Sequence, residues 1–268
     1  MPSTPEQALE WLEEVKGHQV TVVGDDIIDE YVYVRPAGKS AKDNLVTFVS
    51  DGRRLWAGGA RIIHRHLEAL GCNATLCTTE RPVLKTRYVD AAFNQKVFSV
   101  CNTDSGGGLA CFTSEGHTLL HPEHLLIADF GHASNSAVHG RGKFTTLMVQ
   151  SNSLNWGFNP ITKYKRADYL VCDEAELRLA CRNNVDSVEM LAKMLTTWKR
   201  MIVVTLGHKG AFILEGKKVP SDDIRPIYFP AYARKVMDRM GAGDAFLAAS
   251  APLAALGGAD LDDLALVP

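Results

Sequence analysis

Apolar and polar positions along the chain follow two periods. Runs of strand length that are apolar throughout recur at HQVTVVG (18–24), NATLCT (73–78), HLLIADF (124–130), FTTLMVQ (144–150), DYLVC (168–172) and MIVVTLG (201–207). Such runs predict strands buried on both faces, as in a parallel sheet. Between them lie helix-period segments. One starts at Pro5 behind Ser3 or Thr4, with Leu9, Leu12 and Val15 on one face. A second opens at Gly58-Gly59, carries Ile62, Ile63, Leu67 and Leu70, and is closed by Gly71. Further helices are predicted at Asp173–Cys181, 186–198 and 242–256. Apolar strands alternating with helices predict an α/β fold with a mainly parallel central sheet flanked by helices.

Two stretches break this alternation. Residues 30–57 alternate weakly and are interrupted by Pro36, Gly38 and Gly52, which predicts short strands and turns. Residues 85–100 read as a hairpin. Together, 30–57 and 84–100 predict a small accessory β-sheet lid inserted into a single domain over 1–268. Residues 102–117, with Gly106 to Gly108, predict a loop, and hairpin strands are expected near 211–214 and 217–219. IRPIYFP (224–230) leads towards the last helix.

Composition narrows the function classes. The 268 residues carry a net charge of −2, which leaves no electrostatic footprint for nucleic acid or an anionic membrane. No apolar run is long enough to span a bilayer, and the acidic N-terminus does not read as a signal peptide. A cytoplasmic protein is expected. Six cysteines without a CxxC pair predict buried thiols and no disulfide framework. His64 and His66 diverge on a helix, and His117, His121 and His124 straddle Pro122, so neither set reads as a zinc site.

The chemistry concentrates at DRMGAGDAF (238–246). Small residues at Gly241, Ala242 and Gly243 in front of a helix allow close approach to its free N–H groups, which with the helix dipole make an anion site. Asp244 at the edge of that cradle could take the proton of an attacking hydroxyl. Elsewhere, Asp25 and Asp29 follow the first strand, at the ligand edge of an open α/β sheet. Lys85 and Arg87 share a strand face and could clamp a phosphate, with Lys39 and Lys42 as weaker candidates.

These residues resemble the ribokinase-like (phosphofructokinase-B type) carbohydrate kinases. DRMGAGDAF is similar to that family's signature, with Arg239 where Thr is usual. VVGDDIIDEY (22–31), AGGARIIHRHLEALG (57–71), CDEAE (172–176) and VTLGHKGAFIL (204–214) resemble further family elements in the family's order. The spacing of Gly24, Asp25, Asp29 and Tyr31, with KTR (85–87), is closest to heptose-7-phosphate kinases. The resemblance implies ATP-dependent phosphoryl transfer with Mg²⁺ to a hydroxyl of a sugar or sugar phosphate, and a homodimer through the lid. It implies Asp244 as base and Gly241, Ala242 and Gly243 as the anion hole. It places Asp25, Asp29, Gly58, Gly59, Lys85 and Arg87 on the acceptor. Asp173, Thr205, Gly207 and Gly210 fall on the nucleotide, and Glu176 acts through the metal and its waters.

Two departures stand out. Ile62 occupies the place of an Asn that usually holds sugar hydroxyls, and 24 residues follow Asp244, fewer than the family carries. They keep two alternatives open: a non-catalytic ligand- or partner-binding protein, and a kinase of a nucleoside-like alcohol.

Overall fold

The computed structural model describes residues 5–102, 109–112, 122–132, 141–197, 199–216, 224–233, 235–236 and 240–256, with backbone alone at 5–8, 109–112 and 199. A nine-stranded sheet forms the centre, in the order β13-β12-β11-β10-β9-β8-β1-β4-β7. Its parallel strands are β1 (Gln19–Gly24), β4 (Asn73–Thr79), β8 (His124–Asp129), β9 (Phe144–Val149), β10 (Ala167–Asp173) and β11 (Lys199–Thr205). Three antiparallel strands finish its edges: β7 (Leu109–Phe112) beside β4, then β12 (Ala211–Glu215) and β13 (Ile227–Phe229) beyond β11. The hairpin partner of β12 is thus β11, and residues 217–219 lie outside the described residues, as do 103–108 and 113–121. The loop expected over 102–117 contains strand β7, which escapes detection because four residues carry no period.

The all-apolar runs are buried on both faces because neighbouring residues of a strand point opposite ways. Val22 and Leu126 pack on one side with Ile63 and Leu67 of α2 (Gly59–Ala69) and Leu247 and Ala251 of α5 (Ala242–Leu256). Val23 and Ile127 pack on the other with Leu177 of α3 (Glu174–Cys181) and Leu191 of α4 (Val188–Leu195). The first helix, α1 (Pro5–Glu14), differs from its expected apolar face: Val15 is buried and Trp11 packs on the core, but Leu9 and Leu12 are exposed.

The lid is a four-stranded sheet, β3-β2-β5-β6. Here β2 (Asp26–Lys39) and β3 (Val46–Gly58) form one long antiparallel ribbon, where short strands and turns were expected. Register irregularities at Tyr33/Val34 and Pro36/Gly38 absorb the proline and glycine that appeared to break the pattern. β5 (Val83–Asp90) pairs parallel to β2, and β6 (Gln95–Asn102) closes the sheet. The lid leaves the main sheet just past β1 and β4, at the edge where the parallel strands end.

Cys72, Cys101, Cys172 and Cys181 are free, as expected, but only Cys72 and Cys172 are buried; Cys101 and Cys181 are half-buried. Cys77 departs from the expectation: it is disulfide-bonded, and Cys111 stands opposite it in the β4–β7 ladder. Only the pairing of distant strands brings these two positions together.

At the opposite end of the sheet, His124 is buried between His18 (Nε2 to Nδ1, 3.1 Å) and the Thr146 hydroxyl (Nε2 to Oγ1, 2.8 Å). Burial, then the neighbouring His18, pulls its pKa from 6.5 down to about 3. The neutral ring belongs to the folded state, so its contribution is complete above pH 6.5 and is lost as pH falls towards 3. Urea unfolding should show stability falling below pH 6.5 with a slope approaching ~1.4 kcal/mol per pH unit from this group. His124→Gln should flatten that dependence.

Candidate active site

Beyond the C-terminal ends of the parallel strands and beneath the lid lies a cavity of about 1000 Å³. Its walls include Asp173, Glu176, Thr205 and the turn Met240–Gly243 from the main sheet layer, and Asp29, Lys85 and Arg87 from the lid. Asp244 belongs to both sets electrostatically: Asp29 and Lys85 act on its carboxyl, and it acts on Glu176.

Asp244 sits in the first turn of α5, 8% exposed. Burial, followed by the Asp29 charge and opposed by Lys85, lifts its pKa to about 6. A carboxylate with that value is mostly ionised at neutral pH and still accepts a proton readily. Ala245 N–H donates to the Gly241 carbonyl (2.9 Å), so the preceding amides, Ala242 to Asp244, have no acceptor within the helix. Gly241 has φ +76°, a left-handed conformation that favours glycine. A Cβ at Gly241 or Gly243 would meet nothing within 4 Å, so these glycines leave open space in front of the helix and relieve no packing clash. Asp238 and Arg239 of the same motif lie outside the described residues.

Glu176 enters through the start of α3. Asp173 caps that helix, accepting from Glu176 N–H (2.7 Å), while Asp173 N–H donates to Glu176 Oε2 (2.9 Å). Ser151 N–H donates to Glu176 Oε1 (3.3 Å). Burial, then the charge of Asp173, raises the Glu176 pKa to about 8. A carboxyl so placed ionises readily only beside a cation. Among the described residues no three metal-binding side chains converge. The donor set therefore fits a hard divalent ion carried mainly by phosphate oxygens and water, with Glu176 as the protein's contribution, and does not fit a protein-caged metal.

On the lid side, Arg87 is ion-paired to Asp29 and lies over the Tyr31 ring at 5.6 Å. Asp29 is thus already engaged, and a Cβ at Gly58 would come 2.6 Å from its Oδ2. Gly59 has φ +58°, and a Cβ there would stand 2.3 Å from the Asp25 carbonyl, so the chain turns from β3 into α2 directly against that backbone. Lys85 lines the cavity and has no hydrogen-bond or ion-pair partner among the described residues. Burial draws its pKa below the usual lysine value.

Asp25 stands apart from its expected place. It is fully buried, its Oδ2 accepts from Phe130 N–H (2.8 Å) and His132 N–H (3.2 Å), and it joins the frame beneath the cavity and not its walls. Gly207 and Gly210 shape the β11–β12 turn, where Leu206 N–H donates to the Gly210 carbonyl (2.7 Å), and Thr205 alone of that motif reaches the cavity. Lys39 and Lys42 lie at the far end of the lid ribbon, outside the cavity lining.

Gln150, which no sequence motif marks, lines the cavity and donates from Nε2 to Asp244 Oδ1 (3.3 Å). Its only signal was its place just after β9, at the ligand edge of the sheet. Tyr31, Trp56 and His66 also line the cavity, and Ile62 presents a hydrocarbon wall there.

Residues 136–266 match the model of the pfkB family of carbohydrate kinases. No curated protein sequence matches the chain. Among solved structures it is similar to a ribokinase from Thermotoga maritima, with 18% identity over 93% of this chain and 89% of that one and a TM-score of 0.65. It is also similar to the Arabidopsis thaliana ribokinase complexed with ribose and ATP (16% identity, 91% and 88% covered, TM-score 0.61). A third likeness is phosphofructokinase-2 from Escherichia coli in complex with fructose-6-phosphate (13% identity, 93% and 90% covered, TM-score 0.59). These likenesses show a shared fold, with a mainly parallel sheet and a second small sheet. On that fold, the stretch that matches the pfkB carbohydrate kinase family, residues 136–266, takes in Glu176, Thr205, the Gly241–Gly243 turn and Asp244.

Proposed function

We propose that the protein transfers the γ-phosphoryl group of ATP to a hydroxyl of a phosphorylated sugar, of the heptose-phosphate kind. The carrying observation is one cavity holding a carboxyl of raised pKa, Asp244, an open helix N-terminus at Gly241 to Gly243, and a lysine with no partner among the described residues, Lys85. Asp244 takes the proton of the attacking hydroxyl. The Ala242 to Asp244 amides meet the negative charge developing on the phosphoryl oxygens. Lys85 seats the phosphate already on the acceptor, and Gly58 and Gly59 let the acceptor approach the backbone. Asp25 acts indirectly, by holding the strand end from which Asp29 departs. Asp173, Thr205 and the β11–β12 turn with Gly207 and Gly210 border the nucleotide. Mg²⁺, when bound through Glu176 and its waters, supplies charge neutralisation between the phosphates.

Such a reaction suits the ATP-rich cytoplasm. The described helices include none long and apolar enough to cross a membrane. Exposed Leu55, Val97 and Phe98 on the lid support pairing of two copies through that sheet. Ile62 in the cavity wall favours, as a second reading, an alcohol with fewer hydroxyls on that side, such as a nucleoside-like one.

A phosphoryl-transfer assay across heptose, hexose and pentose phosphates, beside their unphosphorylated forms and nucleosides, tests these readings. Transfer to a phosphorylated sugar alone supports the first. Lys85→Met should raise KM for the phosphorylated acceptor by roughly 10–100-fold with kcat within a few-fold, as expected for losing one charged hydrogen bond. An unchanged KM would remove Lys85 from the acceptor site.

A further inference from the structure

We infer that Gln150 is a positioning residue for Asp244: it holds one carboxylate oxygen and leaves the other to receive the acceptor's proton. The inference rests on the reading of Asp244 as base. Gln150 Nε2 donates to Asp244 Oδ1 across 94 residues of sequence, and Oδ2 accepts no hydrogen bond from the described residues. Oδ2 is therefore the oxygen left for the substrate.

The geometry is built from below. Gln150 directly follows β9, and its main chain is held on both sides: its N–H donates to the Asp129 carbonyl (2.8 Å), and its C=O accepts from Asn159 Nδ2 (3.0 Å). Asn159 Nδ2 also reaches Asp129 Oδ1 (3.1 Å). The Asp129 carboxylate, fully buried, is bound further by Gly131 N–H (2.9 Å), the Tyr164 hydroxyl and Lys163 Nζ (2.6 Å). A polar frame spanning residues 129 to 164 thus ends in one amide aimed at the base. A side chain on a loosely held loop could not set a carboxylate's orientation; one anchored this way can.

The neutrality of the amide also matters. Three charged groups act on or are acted on by Asp244: Asp29 from β2, Lys85 from β5 and Glu176 from α3. Gln150, from the β9 end, donates to the ionised carboxylate without adding a charge. A carboxylate in its place would repel the base, and a hydrocarbon would withdraw the donor; both disfavour the ionised form.

The test is a ¹³C-carboxyl NMR titration of the full chain, with the Asp244 signal assigned by its loss in Asp244→Asn. Gln150→Glu and Gln150→Met should each raise the Asp244 midpoint by about one pH unit, with thermal unfolding confirming that each variant folds. If Gln150→Glu does not fold, Gln150→Met decides alone. An Asp244 midpoint unmoved in the folded variants overturns this inference and leaves the base assignment intact. Full turnover in Asp244→Asn overturns the base assignment itself, whatever the titration shows.

Discussion

Asp244→Asn is expected to lower phosphoryl transfer by about 10²–10⁴-fold while ATP binding persists. The substitution is nearly isosteric, so the start of α5 and its free amides should survive. What is lost is the carboxylate proposed to accept the hydroxyl proton. The buried carboxyl has a pKa of about 6. The wild-type rate should therefore rise as pH increases through 6 and level off above it, because the ionised form is the base. Asp244→Asn should lose that acid limb. Steady-state kinetics across pH 5–8 with nucleotide binding followed by calorimetry would check both points. Turnover within a few-fold of wild type would remove Asp244 from the mechanism.

The second large effect concerns the frame beneath the site. Asp129→Ala should destabilise the fold by about 3 kcal/mol, since it removes the buried carboxylate on which a lysine charge, a tyrosine hydroxyl, an amide side chain and a backbone N–H converge. Asp129 is fully buried, and Lys163, Tyr164, Asn159 and Gly131 N–H all converge on its carboxylate. For a domain of this size that is a fall of roughly 6–12 °C in Tm. Asp129→Asn keeps an acceptor for the Gly131 and Tyr164 donors and should cost less. A Tm within 2–3 °C of wild type (about 1 kcal/mol at most) for Asp129→Ala would show that water replaces the carboxylate at little cost. The frame would then not hold Gln150 in place.

Much of the architecture was legible along the chain. The six parallel strands appear as apolar runs because a strand covered on both faces has no polar side to show. The start of α2 was marked by Gly58-Gly59, and Gly71 follows its end. The lid was legible as strand-rich but not as a ribbon of 14- and 13-residue strands. Its mostly exposed residues are under little pressure to alternate, and glycine and proline that suggest turns are accommodated at bulges. Strand β7 and the Cys77 bond depend on which strand lies beside β4, which no local pattern records.

By itself the sequence determined the α/β alternation, the small-residue turn before Asp244 and the helix that starts at Asp173, because each rests on residues within a few positions of one another. Only the tertiary structure decided how those groups behave. It separated Asp25, locked under the cavity by amides 105 and 107 residues away, from Asp29, paired with Arg87 58 residues on. It left Lys85 without a partner among the described residues, raised the pKa values of Glu176 and Asp244 by burying them, and brought Gln150 to Asp244 from another element. The reason is physical: periodicity and turn chemistry are local. Desolvation, ion pairing and hydrogen-bond partnership depend on what the folded chain places alongside a group, so neighbours distant in sequence decide its charge and reach.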